Sequence, residues 1–185
     1  MVLERINGPE DLKSLTKEER DTLAWEMREN LIQRASLHMG HVGPDLGFVE
    51  ATIALHTVFD APKDQLIFDV SHQTYPHKML TGRREAYMDP EHYDDVGPYT
   101  DPKESPYDLY SIGHTSTSVD LAIGMAKARD ILGGKEHVVG IIGDGSLSGG
   151  MALEGLNVAG EMDSPLILVL NDNDQSIAEN HGGMY

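Results

Sequence analysis

Two apolar runs in the last third of the chain constrain its fold more than anything else in it. His137-Val138-Val139-Gly140-Ile141-Ile142 leads into Gly143-Asp144-Gly145, and Pro165-Leu166-Ile167-Leu168-Val169-Leu170 leads into Asn171-Asp172-Asn173. Continuous apolar runs of this length are the pattern of buried strands. Residues 148–160 between them read as a helix. Strand, helix and strand make a βαβ unit, whose crossover runs the strands parallel. The expected class is α/β, a parallel sheet flanked by helices. A right-handed crossover makes the two strands neighbours. Both polar tripeptides then lie beyond strand carboxyl ends, where open sheets of this kind bind ligands.

The rest of the chain reads as one domain, 1–185, long enough to bury a core. Residues 1–15 look like an irregular lead-in. Thr16-Lys17-Glu18-Glu19 fits a capping box, and Leu23, Met27, Leu31 and Ala35 follow on one face. That helix should stop before Gly40. A second helix is expected over Phe48 to Phe59, a buried strand over Gln65 to Val70, and a helical turn within Tyr75 to Arg84. Residues 85–107 read as a long loop, of the kind that usually serves as a lid or is disordered. Residues 116–132 read as a helix stopped by Gly133-Gly134.

The net charge of −17, from 31 acidic against 14 basic residues, argues against nucleic acid or an anionic membrane surface as partner. There is no cysteine, hence no disulfide, thiol nucleophile or Cys-ligated metal. No run of about 18 apolar residues occurs, and the expected location is cytoplasmic. A bound phosphate must rely on metal, backbone N–H groups or histidines.

Asp144 is an anion where a phosphate would lie. Mg²⁺ between them turns repulsion into ligation, because it takes oxygen ligands from one or two side chains plus phosphate. The Asp144 carboxylate and the Asn173 amide oxygen suit that chemistry, and a backbone carbonyl near Gln175 is a third candidate. Two other readings of the tripeptide stand beside this one. Gly143, Gly145 and Gly149 give G-x-G-x-x-x-G, close to but not a dinucleotide fingerprint. An ordinary βα turn with a capping aspartate would also look like this. The histidines show no zinc-ligand spacing.

Asn173 follows Asp144 by 29 residues, and the pair resembles the thiamine-diphosphate motif. The resemblance extends to His38-Met39-Gly40-His41, to Phe68 through Lys78 (Phe-Asp-Val-Ser-His-Gln-Thr-Tyr-Pro-His-Lys), to Leu80-Thr81-Gly82-Arg83-Arg84 and to Gly113-His114-Thr115-Ser116-Thr117-Ser118. Together these are similar to the 1-deoxy-D-xylulose-5-phosphate synthase family, from about residue 20 to the end. The resemblance implies a thiamine-diphosphate-binding domain in which Asp144 and Asn173 hold Mg²⁺. It implies cofactor contacts from His72, Gly113, His114, Thr115, Gly145 and Ser146, with His41 and His72 as catalytic candidates. His72 and His114 are expected just past strands. His77 and Lys78 match the family but are kept as structural. His38, His56, His92, His137 and His181 have no assigned role.

The implied reaction joins pyruvate to glyceraldehyde 3-phosphate with loss of CO₂, in isoprenoid biosynthesis. Three departures from the family pattern stand out. Val42-Gly43-Pro44-Asp45 puts an acid near the expected active site, residues 85–107 lack the usual basic stretch, and Thr115 replaces a serine. The resemblance implies that the family's pyrimidine-binding and C-terminal domains are expected outside the 185 residues. The chain is therefore expected to be inactive alone, a portion of a synthase that is a homodimer when complete. The pyrimidine-binding domain is expected in the same or a partner chain. A subunit of a split transketolase and a non-catalytic cofactor-binding module are the alternatives.

Overall fold

The structure, a computed structural model, describes residues 1–173 and 176–183. Contacts divide it into two compact units, one joining Met1–Ala61 to Ser71–Ser111, the other joining Pro62–Val70 to the segment from Ile112 onward.

The first unit is helical. Helix α1 (Lys17–Leu37) begins at the predicted box: the Thr16 hydroxyl accepts the Glu19 N–H at 3.2 Å, and the Glu19 carboxylate accepts the Thr16 N–H at 2.9 Å. It ends ahead of Gly40, as expected. Helices α2 (Gly43–Gly47) and α3 (Val49–Val58) follow, then α4 (Tyr75–Lys78), a wide turn over Met79–Arg83, and α5 (Glu85–Met88). Leu23, Met27 and Leu31 of α1 join Val49, Ile53, Tyr75, Leu80 and Tyr87 in one core.

Two segments are more ordered than their sequence suggests. Residues 1–15 form two 3₁₀ turns, Leu3–Arg5 and Pro9–Ser14, and bury Leu3, Ile6 and Leu12 in that core. Their backbone is tied to α1 by the Glu26 carboxylate, which accepts the N–H groups of Val2 and Leu3 at 3.1 and 2.8 Å. Residues 85–107 open with α5 and a 3₁₀ turn, Pro90–His92. The rest of that stretch is fastened by buried charge. Lys78 donates to the Gly97 carbonyl at 2.8 Å and to Glu104 at 2.6 Å. Arg83 forks onto both oxygens of Asp108 at 2.7 and 2.8 Å. Low periodicity hid this order, because ion pairs and apolar side chains at irregular spacing, Ala86, Tyr87 and Val96 among them, hold the segment.

A chain of buried imidazoles completes the network. His56 Nε2 donates to His77 Nδ1 at 2.9 Å, and His77 Nε2 donates to Asp108 at 3.0 Å, the directions that two neutral rings beside a carboxylate require. Burial, with the Arg83 charge nearby, lowers both imidazoles, His56 far below its ordinary 6.5; the Asp108 bond opposes the shift at His77. The unfolded chain therefore takes up protons below about pH 6.5 that the folded chain refuses. Stability should be full above that pH and fall on acidification, with a slope approaching about 1.4 kcal/mol per pH unit for each ring. Urea melts between pH 7.5 and 5 test this, and a constant midpoint would contradict it.

The second unit carries the sheet. Strand β1 (Gln65–Phe68), helix α6 (Ser118–Leu132), strand β2 (Val138–Gly143), helices α7 (Asp144–Leu147) and α8 (Gly150–Glu161) and strand β3 (Ile167–Asn171) succeed one another. The strands stand in the order β1-β2-β3, all parallel. The α/β class, with a parallel sheet and flanking helices, is as expected. Val119 of α6, Ile142 of β2 and Ala152 of α8 form one of its buried apolar clusters, and Ile67, Ala122, Val139 and Ile141 are buried as well. Gly133, at φ 74°, closes α6 in the left-handed conformation that the predicted stop requires.

Two strands differ from expectation. β1 stops at Phe68 rather than Val70, because Val70 and Ser71 have φ of 58° and 65°, outside the extended region. β3 was expected to be buried, yet Ile167 and Leu170 are 39% and 50% exposed. Among the described residues β2 is its only partner, so it forms the edge of the sheet.

Candidate functional site

The register of the sheet brings the two tripeptides together. Gly143 pairs with Asn171 across β2 and β3, so Asp144 and Asp172-Asn173 emerge side by side from adjacent strands, which are about 4.8 Å apart in any such ladder. Gly143-Asp144-Gly145 is not the tight turn its glycines suggest. Gly143 ends β2 in an extended conformation, and Asp144 is already the first residue of α7. Asp144 is buried, and one of its oxygens accepts from the Asn180 amide. Asn173 is exposed just past β3. Gln175 lies outside the described residues.

Gly145 and Ser146 continue α7, both half-buried. A Cβ on Gly145 would stand 2.6 Å from that of Ser176, so the close approach of that later segment requires a glycine. The Ser146 carbonyl accepts the Ser116 hydroxyl at 2.6 Å, which ties α7 to the start of α6.

Gly113, His114 and Thr115 lie exposed in the loop before α6. His114 therefore precedes a helix instead of following a strand; His72 does follow β1. His114 Nδ1 donates to the Thr115 carbonyl at 2.8 Å, which leaves the lone pair of a neutral ring on Nε2. The loop is anchored by a residue the sequence reading passed over. Asp69, 1% exposed, accepts the N–H groups of Ser116, Thr117 and Ser118, each at 2.9 Å. It caps α6 from the end of β1, and the helix has no side-chain cap of its own. An acid closing an apolar run was the available signal. Replacing Asp69 with alanine should cost about 2 kcal/mol, the upper range for a lost cap. Urea denaturation checks this, and a loss under a few tenths would refute the capping role.

His41 and His72 belong to the first unit, with rings 5.5 Å apart, edge to face. The rings of Tyr75 and Tyr99 stand 6.0 and 5.5 Å from His41. Burial lowers the His41 imidazole, favouring its neutral form. Neither tyrosine was singled out from the sequence. Asp45, the acid expected near an active site, points inward and is fully buried.

Non-glycine residues at positive φ mark both histidine segments: Val70 and Ser71 before His72, and Ser116, at 68°, after His114. Such strain persists where surrounding structure overdetermines it, often at functional sites. The strand-end donors fit a magnesium ion: a buried carboxylate and an exposed amide oxygen are hard ligands, and they leave positions open for phosphate oxygens.

A family model described as 1-deoxy-D-xylulose-5-phosphate synthase matches residues 3–185. The chain belongs to the 1-deoxy-D-xylulose-5-phosphate synthase family. Proteins of that name from Carboxydothermus hydrogenoformans and Brevibacillus brevis are 51% and 52% identical over 99% and 100% of the chain. One from Halalkalibacterium halodurans is 50% identical over 100% of it. The chain spans 29% or 30% of the length of these relatives. The family match rests on the whole chain, not on the Asp144 motif alone.

Proposed function

We propose that this chain is the N-terminal portion of a thiamine-diphosphate-dependent synthase that joins pyruvate to glyceraldehyde 3-phosphate, and that it is inactive by itself. The observation that carries this reading is the register of β2 and β3, with Asp144 and Asn173 at adjacent carboxyl ends. Asp144 and Asn173 would hold Mg²⁺, with a backbone oxygen near Gln175 as a further ligand. Gly145, Ser146, Gly113, His114 and Thr115 would meet the diphosphate, the first two through the close-packed start of α7. When bound, the thiazolium ring supplies the electron sink that a 2-oxo acid needs to lose CO₂.

His72 keeps the cofactor contact and catalytic role that family membership suggests. His41, neutral near pH 7 through burial, is suited to accept and return a proton at the substrate. Absent a Lys/Arg field, the metal and these imidazoles would carry anion recognition. The remaining elements of the proposal are a pyrimidine-binding domain in the same or a partner chain, a homodimer when complete, and a cytoplasmic location. No helix among the described residues is long and apolar enough to cross a membrane.

The intact gene product should release CO₂ from pyruvate in the presence of glyceraldehyde 3-phosphate. Turnover of xylulose 5-phosphate without pyruvate would instead identify a transketolase. Silence with both, even after a pyrimidine-domain chain is added, would leave a non-catalytic cofactor-binding module.

A further inference from the structure

Asp45 is 0% exposed, on the floor of the segment that carries His41. Its Oδ1 accepts the Tyr75 N–H, at the first residue of α4, at 2.8 Å. Its Oδ2 meets no donor among the described residues. The Tyr75 side chain carries the fastening onward, because its hydroxyl accepts the backbone N–H of His41 at 3.3 Å. Arg34 lies 5.2 Å from the centre of the Tyr75 ring, its guanidinium pinned by the carbonyls of Ala86 and Tyr93 at 3.1 and 2.8 Å. A Cβ on Gly40 would stand 2.8 Å from the Tyr75 hydroxyl and 3.2 Å from Arg34 Nη1. The hydroxyl reaches the 40–41 backbone only because residue 40 has no side chain.

We propose that Asp45 is a positioning residue for His41, fixing the start of α4 through the Tyr75 backbone and, through the Tyr75 hydroxyl, the backbone that presents the imidazole. This rests on the reaction-centre role proposed for His41. Its chemistry suits the place. Burial raises the Asp45 carboxyl well above the usual range, against the opposing Tyr75 N–H and the Arg34 charge. The groups that face it are Arg34 of α1, Tyr75 of α4 and Tyr87 of α5. A neutral carboxylic acid keeps Oδ1 as an acceptor and carries its proton on Oδ2, as an amide would carry its NH₂. Asp45 thus acts as a buried acceptor for the Tyr75 N–H, not as an acid that faces substrate.

The test uses the intact gene product, with kcat, KM, cofactor affinity by calorimetry and the NMR titration of the His41 imidazole as readouts. Asp45→Asn keeps the acceptor and should leave kcat within about twofold of the parent, whereas Asp45→Ala orphans the Tyr75 N–H and should lower kcat roughly tenfold. KM and cofactor affinity should hold in Asp45→Ala, and the His41 resonance should shift. Tyr75→Phe keeps the ring and removes only the hydroxyl, and should give the same His41 shift. The double variant should be no worse than the worse single, because both act through one connection. Parental kcat with an unmoved His41 resonance in Asp45→Ala would overturn the proposal, as would losses that multiply in the double variant. Should Asp45→Ala fail to fold, Tyr75→Phe decides: a parental His41 titration there overturns it. Full turnover in His41→Ala would sink the role assigned to His41, whereas the resonance shift alone decides the link from Asp45.

Discussion

Replacing Asp144 with alanine in the intact gene product should abolish measurable magnesium-dependent binding of thiamine diphosphate, a loss of at least about 100-fold. Changes one layer out from a metal commonly cost 10–100-fold, and a direct ligand should cost more. The reason is electrostatic. Asp144 is a buried anion at the strand end where a diphosphate is proposed to lie, and without a divalent cation the two repel. Chelating the metal should therefore weaken the parent protein by a similar factor and weaken the alanine variant little further. Isothermal calorimetry with and without chelator measures both. Unchanged affinity in Asp144→Ala would end the metal assignment. Because Asp144 also accepts from Asn180, a thermal melt of the variant should accompany the titration, so that a folding defect is not taken for a lost ligand.

The largest loss of stability is expected from Asp108→Ala, about 3–5 kcal/mol, the range for breaking a buried ion pair from one side. Burial by itself would raise the Asp108 carboxyl, but the hydrogen bonds and charges of His77 and Arg83 outweigh it, and its pKa falls well below the usual carboxylate range. Removing that carboxylate takes one acceptor from the His77 N–H and two from the Arg83 fork, which keeps only Glu104 at 3.2 Å and the Thr81 hydroxyl at 2.8 Å. It also frees the Asp101 N–H, which Asp108 accepts at 2.9 Å. A domain of ordinary stability has about 5–15 kcal/mol in all, so the variant should be marginal at room temperature. Urea denaturation at pH 7.5 gives the number, and a loss under about 1 kcal/mol would show that the network contributes little. Asp108→Asn, which keeps the shape and one acceptor oxygen, should fall between parent and alanine.

Much of the architecture follows from patterns a few residues long. The Thr16–Glu19 box starts α1 because its donors and acceptors are three residues apart and close on themselves. Gly133 ends α6 because glycine takes a left-handed conformation at little cost. The two apolar runs become parallel neighbours because the connection between them is too long for a hairpin. The strand-end pair Asp144 and Asn173 was readable for the same reason: Asp144 is the first polar residue after one apolar run, and Asn173 closes the polar tripeptide that follows the other.

What was not readable depends on partners far apart in the chain. Asp69 caps a helix that begins 49 residues later at Ser118. Arg34 is held by carbonyls 52 and 59 residues away. Residues 85–107 look like loose loop because the charges that fasten their end, Lys78 and Arg83, belong to the preceding helix and turn. Asp45 reads as an acid at an open site, and only its burial beneath Tyr75 makes it an acceptor for a backbone N–H with its carboxyl raised. The sequence by itself determined the α/β class, the parallel pair of strands and the placement of Asp144 and Asn173 at adjacent strand ends, because each is encoded within a strand, a helix or a turn. Only the tertiary structure decided how the histidines are held, because burial and distant hydrogen-bond partners set the position and protonation of a side chain, and neither is a property of its neighbours in sequence.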